Sequence, residues 1–182
     1  MAKGKSKGRN NSGGGGTATI IGTVAPSVES FIKEQMSELG IKGNIIFEFR
    51  DKKKGEANTG GFVSFGNTVV NESAEKGYYK HIDKLTVIGG NGLTQRGTIA
   101  HEMKHLEQMQ SGRFRKVFLK VNGSWQSGYE WNGRLHTTEK EYSSIVNAIG
   151  KAKTQDAYNK ALAKYKALPW EAEAYAAGSK YD

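Results

Sequence analysis

The spacing of apolar residues in the first third of the chain changes from helical to alternating. After Pro26, apolar positions recur every three or four residues, and Gly40 is a residue type that commonly ends a helix. Residues 44–50 then alternate between apolar and polar, which predicts a strand with Ile46 or its neighbours facing the core. Further strands are predicted at 62–65, 68–70 and 84–88, the first two joined by a tight turn at Gly66-Asn67.

A second helical pattern covers residues 93–110 and has two distinct faces. Its apolar face carries Ile99, Met103 and Leu106. A polar face with the same spacing carries His101, His105 and Gln108. A helix of this kind packs its apolar face in the core and can turn its polar face toward a cleft.

The last third of the chain combines one hairpin with several helices. Asn122-Gly123 lies between alternating segments at 114–121 and 125–131, and Asn-Gly is the pair most typical of two-residue hairpin turns. Two helices at 138–149 and 154–167 are expected to pair antiparallel, and a short helix follows at 170–177. The core residues predicted for the second of these helices are Ala161, Leu162 and Tyr165.

Together these elements predict an α+β fold. Its parts are an N-terminal helix, one twisted and mostly antiparallel sheet, the helix at 93–110, a C-terminal helical pair and a short final helix. A length of 182 residues fits one domain, which we place at 18–182.

Residues 1–17 differ from the rest of the chain in composition. They contain four cations, four consecutive glycines and almost no apolar surface, so we expect them to be disordered. We interpret them as a flexible leader. The alternative is an arm that docks on nucleic acid or another acidic partner, and the net charge of +9 is compatible with both.

The composition excludes several kinds of protein. Cysteine does not occur, so any metal must be bound by His, Asp or Glu rather than by thiolates. No apolar segment has the length of a membrane span, and no secretory signal is recognisable. We therefore expect no membrane partner and a cytoplasmic or virion-associated protein.

The helix at 93–110 contains His101-Glu102-Met103-Lys104-His105, an H-E-x-x-H motif. Histidines four residues apart project from the same helix face, so both imidazoles can bind a single ion. Glu102 is then placed to act on a water at that ion. The alternative is an exposed helix with this spacing by chance, but the chain has only four histidines and we favour the metal site.

Two carboxylates near the C-terminus, Glu171 and Glu173, are candidates for a third ligand. A catalytic zinc usually has three protein ligands, and two histidines with one glutamate form a common set. Both carboxylates lie on a short alanine-rich helix, whose small side chains allow close approach to another helix. The alternative is a solvated helix with acidic residues in its first turn, where the helix dipole favours them.

The motif and the downstream glutamate resemble the gluzincin family of zinc metallopeptidases. The extension His105-Leu106-Glu107-Gln108 is similar to an H-x-x-Q sequence in several small members, some of them from phages and mobile elements. The resemblance implies a zincin-like fold and Zn²⁺ bound by His101, His105 and Glu171, rather than by Glu173. The chain departs from the family at Tyr175, where many members have an aspartate that orients a zinc-binding histidine.

The chemistry expected of such a site is the hydrolysis of a peptide bond by a zinc-activated water, with Glu102 as general base. The substrate is a protein or the peptide stems of a cell wall. The candidates for stabilising the oxyanion are His136, Tyr142, Tyr129, Arg134 and Tyr175. We prefer His136, which is predicted in a loop after the hairpin. A second hypothesis is a structural or virion-associated assembly protein that retains a zincin scaffold.

Removal of the basic tail should leave the domain functional. We expect a chain that begins at Thr17 to match the full-length protein in thermal stability, zinc binding and turnover of a short peptide, because the tail has no apolar surface to bury. Any binding of the tail to an acidic partner should weaken steeply with salt. A large fall in stability or turnover after truncation would show that the tail belongs to the folded domain.

Overall fold

The computed structural model describes residues 15–55, 60–89 and 95–182 of the chain. Within these residues, seven strands form one open mixed sheet, and five helices accompany it. The predicted α+β class is therefore confirmed.

Strands and helices alternate in groups along the chain. The strands are β1 (Thr17–Ile21), β2 (Asn44–Arg50), β3 (Gly61–Ser73), β4 (Lys76–Ile88), β5 (Phe114–Val121), β6 (Ser124–Trp131) and β7 (Arg134–Thr138). The helices are α1 (Pro26–Leu39), α2 (Arg96–Gln110), α3 (Glu139–Gly150), α4 (Gln155–Lys166) and α5 (Pro169–Gly178).

The sheet is mixed because its first strands run parallel. The strand order is β1-β2-β4-β5-β6-β7, and β3 pairs with β4. β1 pairs parallel with β2, and β2 pairs parallel with β4. The other four pairings are antiparallel. Parallel neighbours need a crossover connection, which α1 provides between β1 and β2. The sheet is thus mostly antiparallel, as predicted, but its two parallel pairings were not predicted.

Strand β1 precedes the predicted N-terminal helix and is anchored by backbone hydrogen bonds. The backbone N–H of Gly16 donates to the carbonyl of Ile41 at 3.1 Å, and that of Thr17 donates to Gly43 at 2.8 Å. Among the described residues, the first element is therefore a strand that precedes the predicted N-terminal helix. The expected disordered tail falls mostly on residues 1–14, which lie outside the described residues. A shortened chain that begins at Gly15 would keep both hydrogen bonds.

Strand β3 corrects the predicted turn at Gly66-Asn67. The chain passes through these residues as one strand and turns only between Ser73 and Lys76. The pairing register with β4 shifts between Phe65 and Val69. Such a bulge accommodates extra residues within a strand, so no turn is required at the glycine.

Two Asn-Gly turns connect the last three strands. Asn122-Gly123 joins β5 to β6 as predicted, with φ angles of 50° and 79°. Asn132-Gly133 joins β6 to β7 with φ angles of 50° and 77°. Positive φ at both residues is what a type I′ turn requires. The second pair carries the same sequence signal as the first. The loop predicted around His136 is therefore wrong, since His136 lies on β7.

The helix ends agree with their sequence signals. α1 begins at Pro26, and Gly40 ends it with a φ of 65°. The side chain of Thr138 caps α3, and that of Thr154 caps α4, each by accepting a backbone N–H. Among the described residues, no helix is long and apolar enough to cross a membrane.

The main core lies between α1, α2 and the sheet. The predicted stripe of α2 is fully buried there, with Ile99, Met103 and Leu106. The core face of β2 carries Ile45, Phe47 and Phe49. Ile45 and Phe47 are the neighbours of Ile46, and Phe49 lies on the same face as they do. A second cluster at the start of α5 is built on Phe114, Tyr129, Leu168 and Trp170. Of the residues predicted for the core of α4, Ala161 is buried, whereas Leu162 and Tyr165 are half-buried.

Helices α2 and α5 meet at two glycines, Gly97 and Gly178. A Cβ on Gly178 would lie 2.7 Å from the carbonyl oxygen of Gly97 and 3.3 Å from the Cβ of His101. A Cβ on Gly97 would lie 3.1 Å from the carbonyl oxygen of Gly178. Ala174, one turn before Gly178, is fully buried. These small residues allow α5 to lie directly against α2.

Replacing Gly178 by Ala should push α5 away from α2. Alanine in a helix normally adds about 0.5–1 kcal/mol of stability over glycine, but here the conflict with a backbone oxygen should reverse the sign. We expect the free energy of unfolding to fall by about 1–3 kcal/mol, measured by urea denaturation.

The matched control is Gly150→Ala, at the last residue of α3. An added Cβ there meets no atom within 4 Å, so this variant should be neutral or slightly more stable. Equal stabilities for the two variants would contradict the steric role of Gly178.

Candidate metal centre

His101, His105 and Glu171 bring three ligand atoms together between α2 and α5. The histidines are one turn apart on α2, and Glu171 lies in the first turn of α5. The two Nε2 atoms are 3.2 Å apart. Glu171 Oε2 lies 3.4 Å from Nε2 of His101, and Glu171 Oε1 lies 3.5 Å from Nε2 of His105. The three side chains therefore surround a common point.

These separations fit a tetrahedral ion. Ligand atoms about 2.0–2.2 Å from a tetrahedral zinc lie about 3.3–3.6 Å from one another. The separation of 3.2 Å between the two Nε2 atoms and that of 3.4 Å between Nε2 of His101 and Glu171 Oε2 lie close to that range, and one ligand atom from each of the three residues lies within 4.8 Å of the others. The group of possible ligands in the described part of the chain has three members, one fewer than a closed tetrahedral site needs.

Glu171 has one buried oxygen without a hydrogen-bond donor. Its Oε1 accepts a hydrogen bond from the hydroxyl of Tyr165 at 2.6 Å. Its Oε2 is buried and has no such partner among the described residues. Burying a charged oxygen without a partner is costly, and this atom lies beside the Nε2 of His101. The residues present thus fit a cation bound through Oε2.

Glu173 points away from the histidines, into a network of ion pairs. Arg113 donates to both carboxylate oxygens of Glu173 at 3.0 Å and to Glu107 at 2.8 Å. Lys104 pairs with Glu107 at 2.8 Å. Partly exposed pairs contribute only about 0–1 kcal/mol each, but together these link α5 to α2. Of the two candidate carboxylates, Glu171 is the one that faces the histidines.

Gln108 fixes the orientation of His105. Its Oε1 lies 3.0 Å from Nδ1 of His105, and its Nε2 donates to the carbonyl oxygen of Trp170 at 3.0 Å. With Nδ1–H donating to Gln108, the Nε2 of the imidazole is free to bind a metal. Gln108 also ties α2 to the residue that precedes Glu171.

Tyr175 lies one turn after Glu171 on α5. Its ring meets that of His101 edge to face, with centroids 4.6 Å apart and planes at 80°. Lys166 Nζ lies 4.4 Å from the centroid of the same tyrosine ring. Tyr175 therefore holds His101 through aromatic packing rather than as a hydrogen-bond acceptor.

Glu102 is buried between α2 and strand β3. Its Cγ lies only 3.0 Å from where a Cβ on Gly61 would be, so a glycine at that position of β3 makes room for it. The backbone of Val63 hydrogen-bonds its carboxylate. Burial raises the pKa of Glu102, whereas the charges of His101 and His105 oppose the rise. A carboxylate with a raised pKa is suited to taking up a proton.

The charges of the site favour a bound cation. Burial disfavours a charged imidazole, but Glu171 and Glu102 outweigh it and raise the pKa of His105 to about 9. Burial alone would raise the pKa of Glu171, but the nearby nitrogens of the two histidines lower it to about 2. In the metal-free protein a proton on His105 therefore compensates the carboxylates, and a metal ion must displace it.

His136, the preferred oxyanion donor, is exposed and lies on β7 rather than in a loop. Its ring edge packs on Trp170, with centroids 5.4 Å apart. Trp170 directly precedes Glu171, so His136 contacts the same end of α5. It does not belong to the group of converging ligand atoms in the described residues.

The other candidate donors have different surroundings. Burial, followed by the charge of Glu171, raises the pKa of Tyr142 to about 12 and also raises that of Tyr175. Tyr129 packs against Tyr142 with ring centroids 4.6 Å apart. Arg134 is exposed on β7. Tyr142 and Tyr175 thus lie within the electrostatic field of the site.

Comparison of the chain with protein-family models, with curated proteins and with solved structures finds no match. What the chain does must therefore be inferred from the geometry and charge of the site itself.

Tyr165 and Arg113 were not identified as site residues from the sequence. Tyr165 was predicted only as a core residue of α4, yet its hydroxyl binds Glu171. No motif marks this contact, because it depends on how α4 and α5 are joined at Leu168-Pro169. Gln108, in contrast, is marked in the sequence as the last residue of the H-x-x-Q extension.

The affinity of the protein for zinc should rise with pH between about 6.5 and 9. His105 keeps its proton across this window because its pKa is raised to about 9 from an ordinary value of 6.5. Zinc must displace that proton, so the apparent affinity should rise by up to about tenfold per pH unit and level off above the raised pKa. Competition with a chromophoric chelator at pH 6.5, 7.5 and 8.5, corrected for protonation of the chelator, measures this. An affinity independent of pH would contradict the charge balance described for the site.

Proposed function

We propose that the chain is a zinc-dependent metallopeptidase with a zincin-like arrangement of the gluzincin kind. The observation that carries the proposal is the convergence of His101, His105 and Glu171 beside the buried carboxylate of Glu102. Two imidazole nitrogens and one carboxylate oxygen form a donor set typical of catalytic zinc.

The role proposed for each residue follows from whether or not it binds the metal. When bound, zinc would supply a Lewis acid that acidifies water and polarises a peptide carbonyl. Glu102 takes the proton of the attacking water and passes it to the leaving amine as the C–N bond breaks, which yields a carboxylate and an amine. Gln108 and Tyr165 hold His105 and Glu171 in place.

The oxyanion needs a hydrogen-bond donor. We propose His136, as expected from the sequence, together with Tyr142 and Tyr175, whose electrostatic coupling to Glu171 and Glu102 supports a location beside the reacting groups. Replacing each in turn by Ala or Phe identifies the donor as the residue whose loss lowers kcat while zinc content stays intact.

The alternative is a structural or virion-associated protein that retains the scaffold. A structural zinc site normally has four protein ligands and needs no general base. The three-membered ligand group and the buried Glu102 therefore favour an enzyme. The substrate class we propose is a protein or the peptide stems of a cell wall. We propose the basic tail as a flexible leader, with docking on an acidic partner or nucleic acid as the alternative.

Replacing Glu102 by Gln should separate metal binding from catalysis. The amide has nearly the same shape but cannot accept the proton of water, so we expect hydrolysis of a peptide library to fall by about 10²–10⁴-fold. Zinc content, measured by elemental analysis, should remain at one ion per chain because Glu102 is not a ligand.

Glu34→Gln, an exposed substitution on α1, is the matched control and should keep both zinc and activity. A chelator should abolish hydrolysis by the wild-type protein, and added zinc should restore it. Zinc binding without hydrolysis of any peptide in the library would instead support the structural alternative. A wild-type protein that binds no zinc would refute the metal site.

A further inference from the structure

The two carboxylate oxygens of Glu171 have different surroundings. Oε1 accepts a short hydrogen bond of 2.6 Å from the hydroxyl of Tyr165. Oε2 is buried without a hydrogen-bond donor among the described residues and lies 3.4 Å from Nε2 of His101. Oε1 also lies 3.5 Å from Nε2 of His105, so both oxygens face the histidines, and the hydroxyl of Tyr165 distinguishes Oε1 from Oε2.

We propose that Tyr165 positions Glu171 for metal binding by holding Oε1, so that the carboxylate binds the ion through Oε2 alone. This inference rests on the proposed zinc-dependent function. Ligation through one oxygen keeps the ion four-coordinate, with its last position open to water. Ligation through both oxygens would fill an additional position and compete with that water.

Tyr165 is well placed to act as a fixed donor. It lies on α4, six residues before Glu171, and the chain between them bends at Leu168-Pro169 into α5. Its ring packs at the margin of the cluster built on Trp170, and its centroid is 6.4 Å from that of Tyr142. A phenol ionises only near pH 10, so its hydroxyl carries the proton that it donates at neutral pH.

The simpler alternative is that Tyr165 only fills space at the edge of this cluster. The substitution Tyr165→Phe separates the two roles, because it keeps the ring and removes the hydroxyl. Tyr158→Phe is the matched control, since Tyr158 lies on the same helix and is 40% exposed. A packing role predicts similar behaviour for both variants, whereas a positioning role predicts a difference only at Tyr165.

The experiment measures the metal site directly. Zinc affinity, determined by chelator competition, should fall by about 10–100-fold in Tyr165→Phe, as is usual when a residue that orients a ligand is lost, and should not change in Tyr158→Phe. Co²⁺ replacing zinc reports the coordination number through its visible absorption. The wild-type protein should give the intense absorption of a four-coordinate ion, and Tyr165→Phe should give a weaker one as Glu171 binds through both oxygens.

Each outcome decides the inference. Wild-type affinity and an unchanged Co²⁺ spectrum in Tyr165→Phe would overturn it while leaving the proposed peptidase intact. A weak absorption from five- or six-coordinate Co²⁺ in the wild-type protein would also overturn it, and that measurement needs no variant to fold. A wild-type protein that binds neither zinc nor Co²⁺ would instead refute the proposed function, and this inference with it.

Discussion

The direct packing of α5 against α2 is the constraint on which the candidate site depends. Gly97 and Gly178 leave no room for a Cβ between the helices, and the buried Ala174 continues that small-residue surface. Because α5 lies so close, the short side chain of Glu171 reaches the two histidines. Larger residues at these positions would push the helices apart and move the carboxylate away from the histidines.

The same packing places charge where water cannot solvate it. Glu171 and Glu102 are both buried beside the histidines, and each carboxylate needs compensation. The protein supplies part of it through the hydroxyl of Tyr165 and the backbone of Val63. The remainder is a cation, either the proton that His105 retains or a divalent metal. The need to compensate these two buried carboxylates links the packing of α5 against α2 to the proposed chemistry.

Local signals in the sequence were reliable where a short segment determines its own conformation. The Asn122-Gly123 turn, the end of α1 at Gly40 and the buried stripe of α2 all follow from a few adjacent residues. Asn132-Gly133 carries an equally clear turn signal, and β7 follows it where a loop is predicted. The bulge in β3 and the parallel pairing of β1 had no such signal, because both are set by the neighbouring strand.

The sequence by itself determined that two histidines share one helix face with a glutamate between them, since four-residue spacing in a helix requires it. It also limited the third ligand to a nitrogen or oxygen donor, because the chain has no cysteine. Tertiary structure decided the rest. Glu171 rather than Glu173 faces the histidines because Arg113 holds Glu173 on the other side of α5, and Tyr165 reaches Glu171 because the chain bends before Pro169. Contacts between residues far apart along the chain depend on how whole helices pack. The spacing of residues within a short segment does not reveal that packing.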